Sequence, residues 1–291
     1  MSASTIPSSD LRHSLLAGLP VAERRMTLAN LHTAVLECGD GPPMLLLHGP
    51  AASAAHWMQV IPSLVATHRV IAPDLPGHGA SQADGALDAG RVLSWLGELI
   101  DLTCESPPVI VGQLSGGAIA ARFAAGHGEE IRRLVLVDTF GLCPFQPAPG
   151  FGEAVMRYLS EPSTDTHWAL WQHCAFDLGR LHRRMGSLWA AFEAYNVDRA
   201  RAPGAHEAVG ALMESFALQA IEPGELAGIR VPVSLVWGRH DRATPLSVAE
   251  AASARYGWPL HVIEESADDP PVEQPEAFVR VLERLAENRA A

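Results

Sequence analysis

Short runs of consecutive apolar residues, separated by longer helical patterns, constrain this chain more than any other feature of its sequence. The runs include MLLL at 44–47, VIV at 109–111 and LVLV at 134–137. A strand that is apolar at every position needs cover on both faces, as in a parallel sheet flanked by helices. The alternation of such strands with helical segments predicts an α/β fold with a doubly wound, mostly parallel sheet and helices on both faces.

The same patterns give positions for the individual elements. Strands are predicted at 26–31, 33–38, 44–47, 69–72, 109–111, 134–137, 233–237 and 260–263, and helices near 54–66, 87–104, 115–126, 245–256 and 275–289. Residues 1–20 are polar and interrupted by proline, which predicts a flexible leader with a short helical turn around Leu15 and Leu16.

The strand rhythm stops between about 142 and 220, where helical periodicity carries much of the aromatic content. This segment predicts a helical cap inserted into a core of residues 21–141 and 221–291. The cap is expected over the C-terminal edge of the sheet, where open α/β sheets bind ligands. Most of its aromatic side chains are expected to form its own small core, and Trp168 and Trp171 are candidates for lining a pocket.

Composition limits the partners that this chain can have. Its 33 acidic and 21 basic residues give a net charge of −12, which disfavours nucleic acid and anionic membranes. Apolar residues make up 48% and charged residues 19%, enough for a packed core. No apolar run reaches the roughly 18 residues of a membrane span, and the N-terminus lacks the features of a secretory signal. We expect a cytoplasmic protein that binds a small molecule; the sequence carries no signal for an oligomeric state.

Cysteine and histidine spacing gives no sign of a metal site. The four cysteines, Cys38, Cys104, Cys143 and Cys174, are widely separated, which predicts neither a zinc site nor a disulfide framework. No set of His, Asp or Glu shows metal-ligand spacing, and no glycine-rich phosphate loop is present. We therefore expect neither a metal nor a cofactor.

Five motifs resemble those of the α/β-hydrolase superfamily, in the same order, between about residues 26 and 289. They are LLLHG at 45–49, APDLPGHGAS at 72–81, VIVGQLSGG at 109–117, WGRHDRATP at 237–245 and DPPVEQPEAF at 269–278. The resemblance implies the α/β-hydrolase fold, with an eight-stranded sheet. It also implies an oxyanion loop after the first motif, a nucleophile elbow in the third, a triad acid in the fourth and a triad His just before the fifth.

The resemblance places Leu114 at the nucleophile position. The elbow pattern is Gly-x-nucleophile-x-Gly, because only small residues fit the tight turn, and Gly112 and Gly116 supply them. A leucine has no lone pair and cannot attack a substrate. Ser115 is the alternative nucleophile, but Gln113 would then stand where a small residue is needed. Ser115 is expected instead to begin the next helix, with its backbone N–H facing the site.

Other catalytic positions implied by the resemblance are also altered. The triad His falls at Asp268, and an aspartate cannot shuttle protons at neutral pH unless its pKa is strongly raised. The triad acid is retained as Asp241, so two carboxyl groups are expected to face each other. Pro50 follows the His-Gly of the oxyanion loop and has no N–H, so Ala51 or Ala52 would have to donate instead.

Further candidates surround these positions. His48 and His78 match loop histidines that hold backbone geometry by hydrogen bonds. The pocket candidates are His48, His56, Trp57, Gln113 and His240, and Gly49 belongs to the oxyanion loop.

Three functions fit this combination of motifs. The favoured one is an enzyme with acid–base chemistry, such as elimination, cyclisation or water activation, in which two close carboxyl groups in an apolar pocket retain a proton. A catalytically inactive binder or sensor would use the same scaffold. The third is esterase-like hydrolysis through Ser115 or a directly activated water.

Overall fold

The computed structural model describes residues 8–287, which form an eight-stranded sheet with helices on both faces. The strands are β1 (Ala22–Leu28), β2 (Leu31–Cys38), β3 (Pro43–Leu47), β4 (Arg69–Pro73), β5 (Val109–Gln113), β6 (Arg133–Val137), β7 (Val233–Gly238) and β8 (Leu260–Ile263). Their order in the sheet is β1-β2-β4-β3-β5-β6-β7-β8. Pairing is antiparallel from β1 through β2 to β4 and parallel elsewhere, which confirms the predicted fold class.

Helices connect most of the parallel strands. They are α1 (Ser8–Leu16), α2 (Ile61–Leu64), α3 (Ala89–Thr103), α4 (Ser115–Gly126), α5 (Phe151–Ser160), α6 (Thr164–Cys174), α7 (Leu178–Met185), α8 (Ser187–Ala200), α9 (Ala205–Leu212), α10 (Pro223–Gly228), α11 (Leu246–Tyr256), α12 (Pro270–Glu273) and α13 (Pro275–Glu287). Short 3₁₀ helices lie at Ala54–Gln59 and Gly128–Glu130, and a π-helical turn at Met213–Ala217. None of the helices in the described part of the chain is long and apolar enough to cross a membrane.

The predicted elements agree with the structure except at two places. The first strand was expected at 26–31, but β1 begins at Ala22 and ends at Leu28, because Ala29 and Asn30 take positive φ and form the turn into β2. Its exposed half reads AERR, so an edge strand here produces no apolar run. The helix expected at 54–66 divides into a 3₁₀ helix and α2, which has a proline in its first turn. The predicted helix end at 288–289 lies outside the described residues.

The two faces of the sheet explain why its central strands are apolar throughout. On β5, Ile110 packs in one core cluster with side chains of α3 and α4. Its neighbours Val109 and Val111 point to the opposite face and pack in a second cluster with α13. Successive strand residues alternate between faces, so a strand covered on both sides needs an apolar residue at each position.

Helices α5 to α9 lie between β6 and β7 and have an aromatic core of their own. Trp171, Trp189 and Phe192 pack edge to face, with ring centroids of Trp171 and Trp189 5.4 Å apart. Helix α9 rests on the loop after β4, where a Cβ built on Gly77 would lie 2.4 Å from Ala208 Cβ. Helix α9 therefore contacts the loop that follows the C-terminal end of β4.

The N-terminal segment differs from the predicted flexible leader over the residues that the structure describes. Helix α1 packs against α8, and both Leu15 and Arg12 are buried. Arg12 donates to Glu23 Oε2 at 2.6 Å and to the Tyr195 hydroxyl at 2.8 Å, and its Nη2 lies 3.0 Å from Asp74 Oδ2. The physical reason for the difference is this buried guanidinium, which joins α1 to β1, to α8 and to the loop after β4. Residues 1–7 of the leader lie outside the described residues.

Replacing Arg12 with methionine is expected to lower the free energy of unfolding by about 3 kcal/mol, since Asp74 is fully buried and would lose its guanidinium partner. Urea unfolding followed by circular dichroism measures this change. The matched control is Arg24→Met, because Arg24 is half exposed and lies 3.6 Å from Glu37; about 0.5 kcal/mol or less is expected there. Equal losses in the two variants would contradict the proposed role of Arg12.

Candidate active site

A tight turn between β5 and α4 has Leu114 at its apex. Leu114 adopts φ 47° and ψ −113°, a conformation that non-glycine residues rarely take, and its N–H donates to the Val137 carbonyl oxygen at 3.0 Å. A Cβ on Gly112 would lie 2.6 Å from the Gly116 carbonyl oxygen, and a Cβ on Gly116 would lie 2.6 Å from the His48 carbonyl oxygen. The backbone approach therefore requires glycine two residues before and two residues after Leu114.

The side chain of Leu114 makes the base of the site apolar. It is 9% exposed, and a Cβ on Gly49 would lie 3.0 Å from its Cδ1. Its core cluster includes Phe151 and Phe216 from the inserted helices. The apex of the turn thus presents a hydrocarbon side chain to the site.

Ser115, the alternative nucleophile, is the first residue of α4 and is completely buried. Its Oγ has no hydrogen-bond partner among residues 8–287, so no described histidine is in place to remove its proton. As the first residue of α4, it has a backbone N–H with no acceptor four residues earlier within the helix. Nearby, Pro50 and Ala51 are partly exposed, and Ala51 takes φ 55°, which turns the loop after β3.

Two buried carboxyl groups follow β6 and β7. Asp241 Oδ1 accepts hydrogen bonds from the N–H groups of Ala243 at 2.7 Å and Thr244 at 2.9 Å. Asp138, directly after β6, accepts from the Gly238 N–H at 2.8 Å with one oxygen. The two carboxyl groups are within hydrogen-bonding reach of each other when one of them is protonated. Asp138 was not among the expected site residues, although a polar residue at the end of a central parallel strand is a recognisable signal.

Asp268 joins this pair from the loop after β8. Burial raises its pKa well above the usual range, and the charges of Asp241, Asp269 and Glu273 raise it further. Burial likewise raises the pKa of Asp241 to about 7, although the two backbone donors oppose the shift. The pKa of Asp138 is raised well above its usual value by burial and then by the charge of Asp241. Three buried carboxyl groups this close cannot all be ionised together, so the cluster retains at least one proton at neutral pH.

Asp269 and Gln113 form a second, adjoining set of contacts. Gln113 Nε2 donates to the Asp268 carbonyl oxygen at 3.0 Å and to Asp269 Oδ1 at 3.1 Å. The other oxygen of Asp269 lies 2.5 Å from His56 Nε2, and both side chains are buried. Gln113, a predicted pocket residue, directly precedes the turn apex, and its side chain connects the turn to the loop after β8. His56 was expected only as a pocket residue, and its pairing with an aspartate 213 positions away has no sequence signal.

The end of α6 covers these carboxyl groups. Burial raises the pKa of the Cys174 thiol well above its usual value, and the charges of Asp268, Asp269 and Glu273 raise it further. Glu273 accepts hydrogen bonds from the Ser266 hydroxyl and from two backbone N–H groups, and burial raises its pKa to about 7. Within residues 8–287, no group of three or more His, Cys, Asp and Glu side chains is arranged to hold a metal ion.

Two predicted pocket residues lie in the core instead. His48 is completely buried: its Nε2 accepts from the Leu75 N–H at 2.9 Å, and its Nδ1 lies 2.7 Å from the Gly49 carbonyl oxygen. Both ring nitrogens of His48 therefore contact backbone groups, which is the role that its loop motif indicates. Neither nitrogen is free to bind a ligand. Trp57 is also fully buried and packs against Phe278 in the cluster on the other side of the sheet. Its apolar ring is needed there to cover the strands.

The remaining candidates lie around the site. Trp171 is buried, and its ring lies 6.1 Å from that of His56, so Trp171 lies beside the pair formed by His56 and Asp269. Trp168 packs against Trp189 in the core of the inserted helices. His240 is exposed and stacks on Phe176, and so points away from its buried neighbour in sequence, Asp241.

A cavity of about 210 Å³ lies beside the Asp241 loop. Its lining includes Phe140, Phe145, Ala217 and Thr244. The Thr244 N–H donates to Asp241, and the Phe140 N–H donates to the Leu114 carbonyl oxygen at 3.2 Å. Two lining residues of the cavity therefore hold the Asp241 carboxylate and the Leu114 carbonyl oxygen through their backbone N–H groups.

The Asp241→Asn variant is expected to be more stable than wild type, and the difference in their free energies of unfolding is expected to grow as pH rises. The pKa of Asp241 is higher in the folded protein than in the unfolded chain, so wild type loses stability from about pH 4 until the pH passes about 7. Asparagine does not titrate, so the variant's advantage grows by about 2 kcal/mol between pH 5 and pH 8. Urea unfolding at the two pH values measures it. Asp84→Asn, an exposed carboxyl outside the site, is the control; an equal pH effect there would contradict the prediction.

The match to known proteins covers most of the chain. The family model described as "Alpha/beta hydrolase family" matches residues 44–281. The chain is 28% identical over 271 residues to 2-hydroxy-6-oxo-2,4-heptadienoate hydrolase from Pseudomonas putida, covering 89% of this chain and 94% of that protein. It is 32% identical over 226 residues to the magnesium-chelatase 30 kDa subunit from Rhodobacter capsulatus, covering 75% and 76%.

Solved structures of other proteins also resemble this chain. A membrane phospholipase A superposes with a TM-score of 0.81 at 25% identity, covering 98% of this chain and 92% of that one. A meta-cleavage product hydrolase from Pseudomonas fluorescens IP01 superposes with a TM-score of 0.76 at 26% identity, covering 93% and 99%. This chain therefore belongs to the α/β-hydrolase family.

Proposed function

We propose that this α/β-hydrolase family member catalyses proton transfer on a small, largely apolar molecule and does not use an acyl-serine intermediate. In this proposal Leu114 stands at the nucleophile position and Asp268 at the position of the triad His, while Asp241 is the retained acid. The observation that supports it most is that the carboxyl groups of Asp138, Asp241 and Asp268 are buried and interact with one another near an apolar turn apex.

The carboxyl groups supply both halves of an acid–base reaction. The pKa of Asp241 is about 7, and that of Asp268 is raised by burial and then by the charge of Asp241, so one carboxyl group is protonated while its neighbour is ionised. The ionised group accepts a proton from the substrate or from water, and the protonated group donates one to the atom that gains electrons. The proton count of the pair is restored in each cycle. Elimination, cyclisation and water activation all fit this step.

Several features argue against the serine route. Leu114 has no lone pair, Ser115 Oγ is buried without a base, and Pro50 supplies no oxyanion N–H. Hydrolase activity among the relatives is compatible with the proposal through water activated by a carboxylate.

The surroundings favour an uncharged substrate. We propose that residues 142–220 form a cap domain over a core of 21–141 and 221–291, with the substrate between them in the cavity near Asp241. The cavity lining includes Phe140, Phe145 and Ala217, and ionised carboxyl groups in a water-poor site repel anions strongly. The P. putida relative is named for a dienoate, which is an anion, so we expect this chain to prefer a neutral molecule over that compound.

A catalytically inactive binder is the second candidate. It is favoured by Leu114, a buried hydrocarbon side chain that makes the base of the site apolar. Turnover distinguishes the two candidates, because both bind a small apolar molecule.

A neutral probe of proton abstraction tests the proposal directly. The ring of 5-nitrobenzisoxazole opens when a base removes its carbon-bound proton and the N–O bond breaks, giving a coloured phenolate. Wild type is expected to accelerate this reaction above the buffer rate, and Asp241→Asn or Asp268→Asn to lower kcat about tenfold or more. Asp84→Asn should match wild type. No acceleration by wild type, with a rise in Tm on adding the probe, would overturn the proposal in favour of the binder.

A fluorophosphonate probe tests the elbow register. Wild type is expected to remain unlabelled, and the double variant Leu114→Ser, Asp268→His to be labelled at the hydroxyl introduced at position 114, because that change restores a nucleophile and base beside Asp241. Intact mass and peptide mass spectrometry locate the label. Weak esterase activity is the most that we expect, since Pro50 leaves the oxyanion hole incomplete. Labelling of wild type at Ser115 would contradict the register and support the hydrolase alternative.

A further inference from the structure

We propose that His56, oriented by Asp269, is the base of this site, and that the carboxyl pair of Asp241 and Asp268 supplies the acid. This inference rests on the proposed proton-transfer function and assigns its two halves to different groups. The α/β-hydrolase motifs place the base after β8, whereas His56 lies in the 3₁₀ helix that follows the loop after β3.

The contacts of His56 fix which of its nitrogens is free. Its Nε2 lies 2.5 Å from Asp269 Oδ2, and a carboxylate oxygen accepts, so the proton of the neutral ring is on Nε2. The lone pair is then on Nδ1. Asp269 is itself held by the Gln113 amide, which also bonds the Asp268 carbonyl oxygen. A carboxylate that orients an imidazole, with a third group holding the carboxylate, is the arrangement that makes histidine a directed base.

The free nitrogen is buried and has no partner within the described residues. His56 is 7% exposed, and its ring packs against Trp171 and Phe192 at centroid distances of 6.1 and 5.3 Å. A buried lone pair without a donor is unfavourable for a purely structural residue, because the group loses its hydrogen bond to water. A buried nitrogen with an unused lone pair is suited to accept a proton from a substrate.

His56 and Asp268 both contact helix α6. Trp171 of α6 contacts His56, and Cys174, one turn further on, lies within hydrogen-bonding reach of Asp268. The titratable groups near His56 are Asp269, His48 and His167. Burial lowers the pKa of both neighbouring histidines, so they are uncharged at neutral pH and place no second cation beside an imidazolium.

The step balances without any added reagent. His56 Nδ1 takes a proton from a substrate C–H or from water, and Asp269 stabilises the imidazolium. The electron pair moves to the leaving or accepting atom of the substrate, which receives the proton of the carboxyl pair. The imidazolium then returns its proton to the carboxylate through water after the product leaves.

Two variants of His56 test its role with 5-nitrobenzisoxazole. His56→Gln keeps a donor toward Asp269 but removes the base, and we expect kcat to fall about 100-fold with KM little changed. His56→Ala leaves a gap between Trp171 and Phe192. Imidazoles of increasing basicity should restore its rate in order of their basicity, whereas a merely structural filler would restore it regardless of basicity. His32→Gln, an exposed histidine, is the matched control and should keep the wild-type rate.

The outcomes separate this inference from the proposed function. If wild type shows no turnover, the proposed function fails. If Asp241→Asn slows turnover and His56→Gln does not, only the role of His56 is overturned. A readout independent of activity is ¹⁵N NMR of histidine-labelled protein: we expect the ring of His56 to carry its proton on Nε2, and Asp269→Asn to abolish that preference. A proton on Nδ1 in wild type would overturn the inference.

Discussion

The close approach of backbone segments at the β5–α4 turn is the constraint on which the site depends. Gly112 and Gly116 allow the chain to reverse so tightly that Leu114 is held at φ 47°, and the Leu114 carbonyl oxygen accepts from the N–H groups of Ala118 and Phe140. All of these contacts are made by backbone atoms. The identity of the apex side chain is therefore free to change while the turn persists, and the fold alone does not decide the chemistry.

Burial of several carboxyl groups is the second constraint, and it acts against stability. Asp138, Asp241 and Asp268 each have a raised pKa, so each group makes folding less favourable as pH rises through its titration. The sheet compensates in part with backbone donors, such as Gly238 N–H to Asp138. Buried carboxyl groups with a raised pKa lower the stability of the fold, so their concentration at the C-terminal edge of the sheet indicates a function there. A region that serves only to pack the core would not be expected to keep them.

Sequence patterns predicted the central strands well because both faces of those strands are buried, and they failed at β1 because an edge strand carries charges. The motifs placed Leu114 at the turn and Asp241 near it, since those positions are tied to local backbone geometry. They did not reveal the burial of Arg12 against Asp74 or the pairing of His56 with Asp269, because these partners are distant in sequence. A single charged residue in a polar segment gives no local signal of burial, because the partner that makes burial tolerable is chosen by the tertiary fold.

The arrangement around Gln113 shows how one fold can place the same chemical group on a different loop. The loops after β3, β5, β6, β7 and β8 all begin at one edge of the sheet. A histidine from the loop after β3 can therefore meet an aspartate from the loop after β8 as directly as an aspartate from the first loop could meet a histidine from the last. Here Asp269 comes from the segment after β8 and His56 from the segment after β3, and Gln113 on β5 holds the carboxylate between them. A base absent from its usual sequence position is thus no evidence that the site lacks one, because convergence of the loops, not order along the chain, determines which side chains meet.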